Sequence, residues 1–382
     1  MTYSWENLVL KELQNIKSNN LYRTNRVFDL FGIKTIGKAK EIISFASNDY
    51  LGLSKNETVI KEATNAIKRY GSSSQASRLI VGTRSLHIKL EKALADFKKT
   101  EAALVFPTGY QTNVGVLSSF GFNDCVIVSD ELNHASIIDG AKLAKSEVVI
   151  YRHCDLVDLK SKLERVVTEG KRPIIVTDLI FSMDGDIAPI ENIANCAKDF
   201  NALLVVDEAH APLGPYLELD EHGRYLGCEI LQIGTLSKVF GSLGGFVAGK
   251  SCFIDFLINR ARSFIFTTAL SPADAGAALG ALKVLTSEQG EILKNALQDN
   301  INLLCDLVGR SPSLSPVIPF VVGSEQKAIK LSQYLMDYGI FVPAIRPPSV
   351  PRGTSRLRIS LSSLHEKSQI ELLAKAIKSV DV

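Results

Sequence analysis

Five points in the chain carry side chains capable of covalent or acid–base chemistry, and each follows or ends an apolar run. Thr108, Gly109 and Tyr110 follow AALVF (102–106), and Asn133 with His134 follows CVIVS (125–129). Ser182 follows PIIVTDLIF (173–181), Asp207 ends ALLVVD (202–207) with His210 just beyond, and Lys238 follows EILQIGT (229–235). A lysine set among Thr235, Ser237, Gly241, Ser242, Gly244 and Gly245 can form a Schiff base once its surroundings disfavour the ammonium form. An aspartate at the end of a central strand can hold a protonated pyridine nitrogen, which makes pyridoxal phosphate (PLP) an electron sink. A histidine can lie on the pyridine face, and the N–H groups of a helix beginning near Thr108 can take the phosphate. Singly, these residues are ordinary. Asp207 reads as a turn or cap residue, Lys238 as a solvated lysine, His134 and His210 as hydrogen-bonded histidines and Ser182 as a turn former. The set is informative because all of it falls at one end of successive strands, where ligands of open α/β sheets collect.

The elements that must position these residues are legible between about residues 86 and 250. The runs named above, with EVVIY (147–151) and GGFVAG (244–249), alternate with helical patterns such as Leu86 to Phe97. Strands that are apolar throughout and separated by helices predict an α/β fold with a mostly parallel central sheet flanked by helices. Trp5, Leu8, Val9, Leu13 and Ile16 predict an amphipathic opening helix. Beyond residue 285 the pattern predicts helices at 288–308 and 326–338, and a last helix announced by Ser363 and Glu366 at capping-box spacing. The expected organisation is an N-terminal helical segment (1–45), a large α/β domain (46–285) and a smaller C-terminal α+β domain (286–382).

The 382 residues include 43 Lys+Arg against 41 Asp+Glu, so no global charge favours nucleic acid or an anionic membrane surface. The six cysteines are scattered and form no CxxC pair, which points to a reducing, cytoplasmic setting and to no metal centre. No segment reaches the ~20 apolar residues of a membrane span, and the opening reads as neither a signal nor a transit peptide. One motif competes. Gly244 to Ser251 satisfies the phosphate-loop pattern GxxxxGK[ST], and Asp207-Glu208-Ala209-His210 spells a helicase-like acidic box, together the signature of an ATPase. Against it, Gly-Phe-Val-Ala between the glycines reads as a strand, and the acidic box precedes the loop.

SNDYLGL (47–53), SRLIVGT (77–83), FPTGYQTNVGVL (106–117), LNHASIIDG (132–140), FSMDGDIAPI (181–190), VVDEAH (205–210), GTLSKVFGSLGGFVAG (234–249) and AIRPPSVPRGTSRLRISLSSLHE (344–366) extend over nearly the whole chain. Together they resemble the α-oxoamine synthases, fold-type I PLP-dependent acyltransferases, and the last stretch resembles the biotin-pathway branch in particular. The resemblance implies decarboxylative condensation of L-alanine with a pimeloyl thioester, on coenzyme A or an acyl carrier protein, in a homodimer with interface active sites. It implies that Lys238 bonds PLP, that Asp207 pairs with the pyridine nitrogen, and that His134 stacks on the ring and takes part in catalysis. His210 would bond the phenolic oxygen, Ser182 and Thr235 would complete the cofactor's contacts, and Gly109 with Tyr110 would hold the phosphate, joined by Thr268 from the neighbouring subunit. Arg358 would grip the amino-acid carboxylate with Asn48 assisting, Arg356 being its rival by sequence. Arg23 and Ser349 match positions contacting the acyl substrate or product.

The chain departs from the family pattern in three places. Gln75 and Ala76 stand where glycines are usual, Ala211-Pro212-Leu213 replaces Gly-Thr-Gly, and Asp178-Leu179 replaces Glu-Gly. These changes leave open the acyl preference, a sibling activity using glycine, serine or another acyl thioester, and a non-catalytic binding subunit.

Overall fold

The computed structural model describes residues 4–29, 32–36 and 41–379. The remaining positions of the expected 1–45 and 286–382 segments lie outside the described residues. A helix over Trp5–Ser18 opens the chain, capped by the Ser4 side chain, and none of its residues is buried. Short strands β1 (Lys34–Ile36) and β2 (Glu41–Ser44) follow.

The large sheet is built from β3 (Ala102–Phe106), β4 (Cys125–Asp130), β5 (Glu147–Tyr151), β6 (Arg172–Asp178), β7 (Leu203–Asp207), β8 (Arg224–Tyr225), β9 (Cys228–Thr235) and β10 (Gly245–Gly249). Its order is β3-β10-β9-β7-β6-β4-β5, with β8 paired to β9. The run from β9 to β5 is parallel, as expected, whereas β10 lies antiparallel to both of its neighbours. Successive residues point to opposite faces of a strand, and the core divides accordingly. Val126, Val128, Ile175, Leu204 and Val206 pack in one cluster under the helices of one face. Ile127, Ile174, Val176, Val205 and Ile233 pack in another on the opposite face. The 173–181 run does not remain strand throughout. It leaves the sheet after Asp178, and Ile180 bridges Ile187 to close a turn over 181–186.

After the helix Glu288–Val308 come β11 (Val317–Gly323), β12 (Ile340–Phe341), β13 (Ala344–Ile345) and β14 (Ser355–Ser360). They form an antiparallel β11-β14-β13 sheet, while β12 joins β2 and β1. The two arginines of RLR occupy positions two apart on β14 and therefore share a face, with Leu357 and Ile359 on the other. The last helix is Lys367–Lys378, and its capping box is Glu366 with Gln369 rather than Ser363 with Glu366. The first apolar residue on its buried face, Ile370, sits one turn later than a Ser363 cap requires. Among the described residues no helix is long and apolar enough to cross a membrane.

One buried histidine makes this packing sensitive to acid. His365 stacks on Phe45 with ring centroids 4.1 Å apart, accepts from the Ser362 N–H at 2.9 Å, and hydrogen-bonds the Ser44 carbonyl at 3.1 Å. Burial pulls it from 6.5 down to about 4. The folded value lies below the unfolded one, so stability is full above 6.5 and is lost as the unfolded chain takes up a proton that the folded chain refuses. Between pH 6.5 and about 5 this residue removes roughly 2 kcal/mol. Denaturant unfolding at both pH values checks it: His365→Gln should show a flatter dependence, and an unchanged dependence would refute the assignment.

Candidate active site

The carboxyl ends of β3, β4, β6, β7 and β9 lie on one rim of the sheet, and β10 starts there because its direction is reversed. β9 ends in Thr235, whose hydroxyl contacts the Ser237 hydroxyl at 2.7 Å and donates to the Gly244 carbonyl at 3.0 Å, tightening the loop that presents Lys238. The Lys238 amine lies 2.7 Å from His210 Nε2, and no carboxylate pairs with it among the described residues. Burial lowers its pKa to about 8 from 10.5, outweighing the pull of Asp207 and Asp178. His210 is itself held neutral, first by burial and then by the charges of Lys238 and Arg358. On its other side His210 Nδ1 meets the Tyr50 hydroxyl at 2.6 Å.

Asp207 is buried at the end of β7. Its carboxylate accepts from the Asn113 amide at 2.7 Å and from the Ala209 N–H at 2.9 Å. Asn113 also donates to Ser136 at 2.9 Å, and the Ser136 hydroxyl lies 2.7 Å from His134 Nδ1. His134 is therefore held through Nδ1 and remains exposed. Its backbone N–H donates to Asp178 at 2.7 Å. Burial, then the neighbouring Asp207 charge, pushes Asp178 well above the usual carboxylate range.

Gly109 and Tyr110 open the helix Gly109–Phe120, which Thr108 caps by accepting from the Gln111 N–H at 3.1 Å. The first N–H groups of a helix have no intrahelical acceptor, and two glycines keep their surroundings clear. A Cβ on Gly109 would lie 3.3 Å from the Thr235 hydroxyl, and one on Gly245 would lie 2.6 Å from the Gly109 nitrogen. Tyr110 itself bonds Asp139 through its hydroxyl.

From the small sheet, both arginines reach this rim but are committed differently. Arg356 is ion-paired with Asp184 and donates to the Met183 carbonyl at 3.1 Å. Arg358 donates to the Ser182 carbonyl at 2.5 Å, to Asn48 at 3.2 Å and to Ser360 at 2.7 Å, and meets no carboxylate among the described residues. Both are buried. The Tyr50 hydroxyl also donates to Asn48 at 3.2 Å, so Asn48, Tyr50, His210, Lys238, Arg358 and Ser182 form one connected group.

Arg23 and Ser349 form a second group. Arg23 donates to the Pro347 carbonyl at 2.8 Å, and the Ser349 N–H donates to the Arg346 carbonyl at 3.1 Å, with no hydrogen bond joining either to Lys238 or its partners. Thr268 is exposed and bridges Ser77. Sequence reasoning missed Tyr50, Asn113 and Asp178. Tyr50 lies inside SNDYLGL, where Asn48 alone was singled out, and Asn113 meets Asp207 across 94 positions of sequence.

The phosphate-loop pattern is not a loop. Gly245–Gly249 is strand β10 with all five residues buried, Lys250 bonds Glu229 at 2.9 Å, and Glu208 of the acidic box pairs with Lys98. At one departure from the glycine-rich pattern, Gln75 takes φ +70°, a left-handed conformation that glycine adopts freely.

A family model described as aminotransferase class I and II matches residues 40–377. An 8-amino-7-oxononanoate synthase of Lysinibacillus sphaericus is 41% identical over 379 residues, 97% of each chain. The solved structure of 8-amino-7-oxononanoate synthase from Francisella tularensis is 28% identical with a TM-score of 0.71, covering 88% of this chain and 98% of that one. Serine palmitoyltransferase from S. paucimobilis, solved with PLP and myriocin bound, is 27% identical with a TM-score of 0.87, covering 97% and 96%.

Proposed function

The chain belongs to the class I and II aminotransferase family and, within it, to the PLP-dependent α-oxoamine synthases, and from that premise we propose that it condenses L-alanine with a pimeloyl thioester, releasing carbon dioxide and 8-amino-7-oxononanoate. The observation that carries this reading is a Lys238 amine with a lowered pKa near a buried Arg358, neither meeting a carboxylate among the described residues. One group is ready to act as nucleophile and base, and the other to receive an anion.

The side chains fit PLP. Lys238 offers an amine close to neutrality, Asp207 offers a carboxylate oriented by Asn113, and Gly109 and Tyr110 offer free first-turn amides kept clear of side chains. The ring of His134 would lie on the cofactor's face, with His210, Ser182 and Thr235 completing its contacts. Lys238 and Asp207 would hold PLP through its aldehyde carbon and pyridine nitrogen, and the bound group would supply an electron sink for charge developing at the amino acid's α-carbon.

Arg358, helped by Asn48, grips the carboxylate and so fixes which α-bond is presented. Lys238, released as a free amine, removes the α-proton, and a pKa of about 8 suits it to move that proton near neutral pH. His210 stays neutral and hydrogen-bonded to Tyr50, so it adds no positive charge beside the amine. His134 would cover the ring face and hydrogen-bond the carboxylate or the developing carbonyl. The new carbon–carbon bond forms as the thiol leaves, and the intermediate β-keto acid then loses carbon dioxide. Arg23 and Ser349, on the 346–349 turn, contact the acyl chain.

The working form is a homodimer, with Thr268 reaching the phosphate held by the other copy. Its exposure and that of the neighbouring Leu79, Ile80 and Val81 support a second copy covering this face. Six free cysteines support a cytoplasmic setting.

Alanine is favoured over serine because a curated relative named 8-amino-7-oxononanoate synthase is 41% identical over 97% of the chain. The test is to purify the protein, confirm a yellow colour that borohydride bleaches, and supply L-alanine, glycine or L-serine with pimeloyl-CoA or pimeloyl carrier protein. Mass spectrometry should find the amino-oxo acid from alanine in large excess over the other products. Equal or greater product from glycine or serine would replace this reading with a sibling activity.

A further inference from the structure

The described residues contain one group of histidine, cysteine and acidic side chains with converging donor atoms: Asp130, His153 and Cys154. Its bonding describes a clasp between two loops. His153 Nδ1 lies 2.9 Å from Asp130, and Nε2 lies 2.6 Å from Asp186, so both ring nitrogens are already engaged. The ring packs edge-on against Phe181 at 4.4 Å, and the His153 backbone N–H donates to Glu131 at 2.8 Å.

Each carboxylate stands at the base of a turn that ends in the site. Asp130 ends β4 and also accepts from the N–H groups of Leu132 and Cys154, bracing the turn that delivers His134. Asp186 closes the 181–186 turn, where the Phe181 N–H donates to its carbonyl at 3.0 Å. That turn meets the arginines: the Ser182 carbonyl bonds Arg358, while the Met183 carbonyl and the Asp184 carboxylate bond Arg356.

We propose that His153 is a positioning residue that clasps the His134 turn to the 181–186 turn and thereby sets the orientation of Arg358 toward the amino-acid carboxylate. The inference rests on the carboxylate-binding role proposed above for Arg358. Burial disfavours charge on His153, but the hydrogen bonds it donates to Asp130 and Asp186 outweigh that and push its pKa up to about 12. The clasp is therefore a cation between two carboxylates, which a neutral side chain cannot reproduce.

PLP-loaded wild type, His153→Gln and Asp186→Asn test the inference by calorimetric titration with L-alanine and by steady-state kinetics. Losing a charge-assisted clasp should weaken L-alanine binding and raise its KM about tenfold in both variants. The KM for the pimeloyl thioester should stay within about twofold, while the melting temperature of His153→Gln should fall because Asp130 loses its buried cation. L-alanine affinity within twofold of wild type in either variant overturns the proposal, as does an equal rise in KM for both substrates. Should His153→Gln not fold, Asp186→Asn decides alone. A wild type that binds no L-alanine overturns the proposed function and this inference together, which separates the two failures.

Discussion

Lys238→Ala should lower turnover by at least roughly 10³-fold while leaving a folded protein, because one amine supplies both the nucleophile and the base. The size follows from the surroundings. Burial has already weakened the ammonium form, and the nearest polar atom is a neutral histidine nitrogen 2.7 Å away, so no other amine is poised to replace it. His210 cannot substitute as a strong base, since burial and the adjacent cations hold its pKa far below the ordinary histidine value. The variant should also fail to retain cofactor after borohydride treatment and denaturation, whereas wild type should retain it covalently. Turnover within tenfold of wild type, or cofactor still trapped on the variant, would remove Lys238 from its assigned role. Removing a buried amine should cost little stability, so the melting temperature separates loss of chemistry from loss of fold.

The second large effect distinguishes two arginines that the sequence leaves equivalent. Arg358→Lys should raise the KM for L-alanine by about 2–4 kcal/mol of lost binding, roughly 30- to 1000-fold, because a point charge cannot reproduce a planar two-pronged grip on a carboxylate. Arg356→Lys should behave differently. Its guanidinium is engaged with Asp184 and the Met183 carbonyl, and lysine keeps the charge but loses the fork, so the change should lower stability by about 1–2 kcal/mol, with a smaller effect on alanine KM. Kinetics and denaturant unfolding on both variants read the contrast. If Arg356→Lys carries the larger alanine KM effect, the carboxylate grip belongs to that residue.

The rim of the sheet was legible because two periodicities coincide there. Apolar runs buried on both faces mark the strands, and the polar residues that follow them collect at one end, so Lys238, Asp207, His134 and Gly109 could be read together before any contact was known. What the sequence hid has physical reasons. GGFVAG reads the same whether its strand is parallel or antiparallel, since direction is set by partners far away, yet its reversal brings Gly245 against Gly109. Arg356 and Arg358 lie two apart on one face of a strand, so only the position of Asp184 separates an engaged guanidinium from an available one. Tyr50 and Asn113 act through partners 160 and 94 positions away, a separation that no local pattern encodes. The last helix shows the limit of local rules as well. Ser363 and Glu366 satisfy one capping pattern, but Glu366 and Gln369 satisfy another that places Ile370 on the buried face.

The central claim is that this rim joins carbon to carbon with loss of the amino acid's carboxyl group. Its most direct measurement is to incubate the PLP-loaded protein with L-alanine labelled at the carboxyl carbon and a pimeloyl thioester, and to count labelled carbon dioxide against 8-amino-7-oxononanoate and free thiol. The account predicts one of each per turnover, with no labelled carbon left in the product. Thiol release without carbon dioxide, or carbon dioxide without the amino-oxo acid, would contradict it.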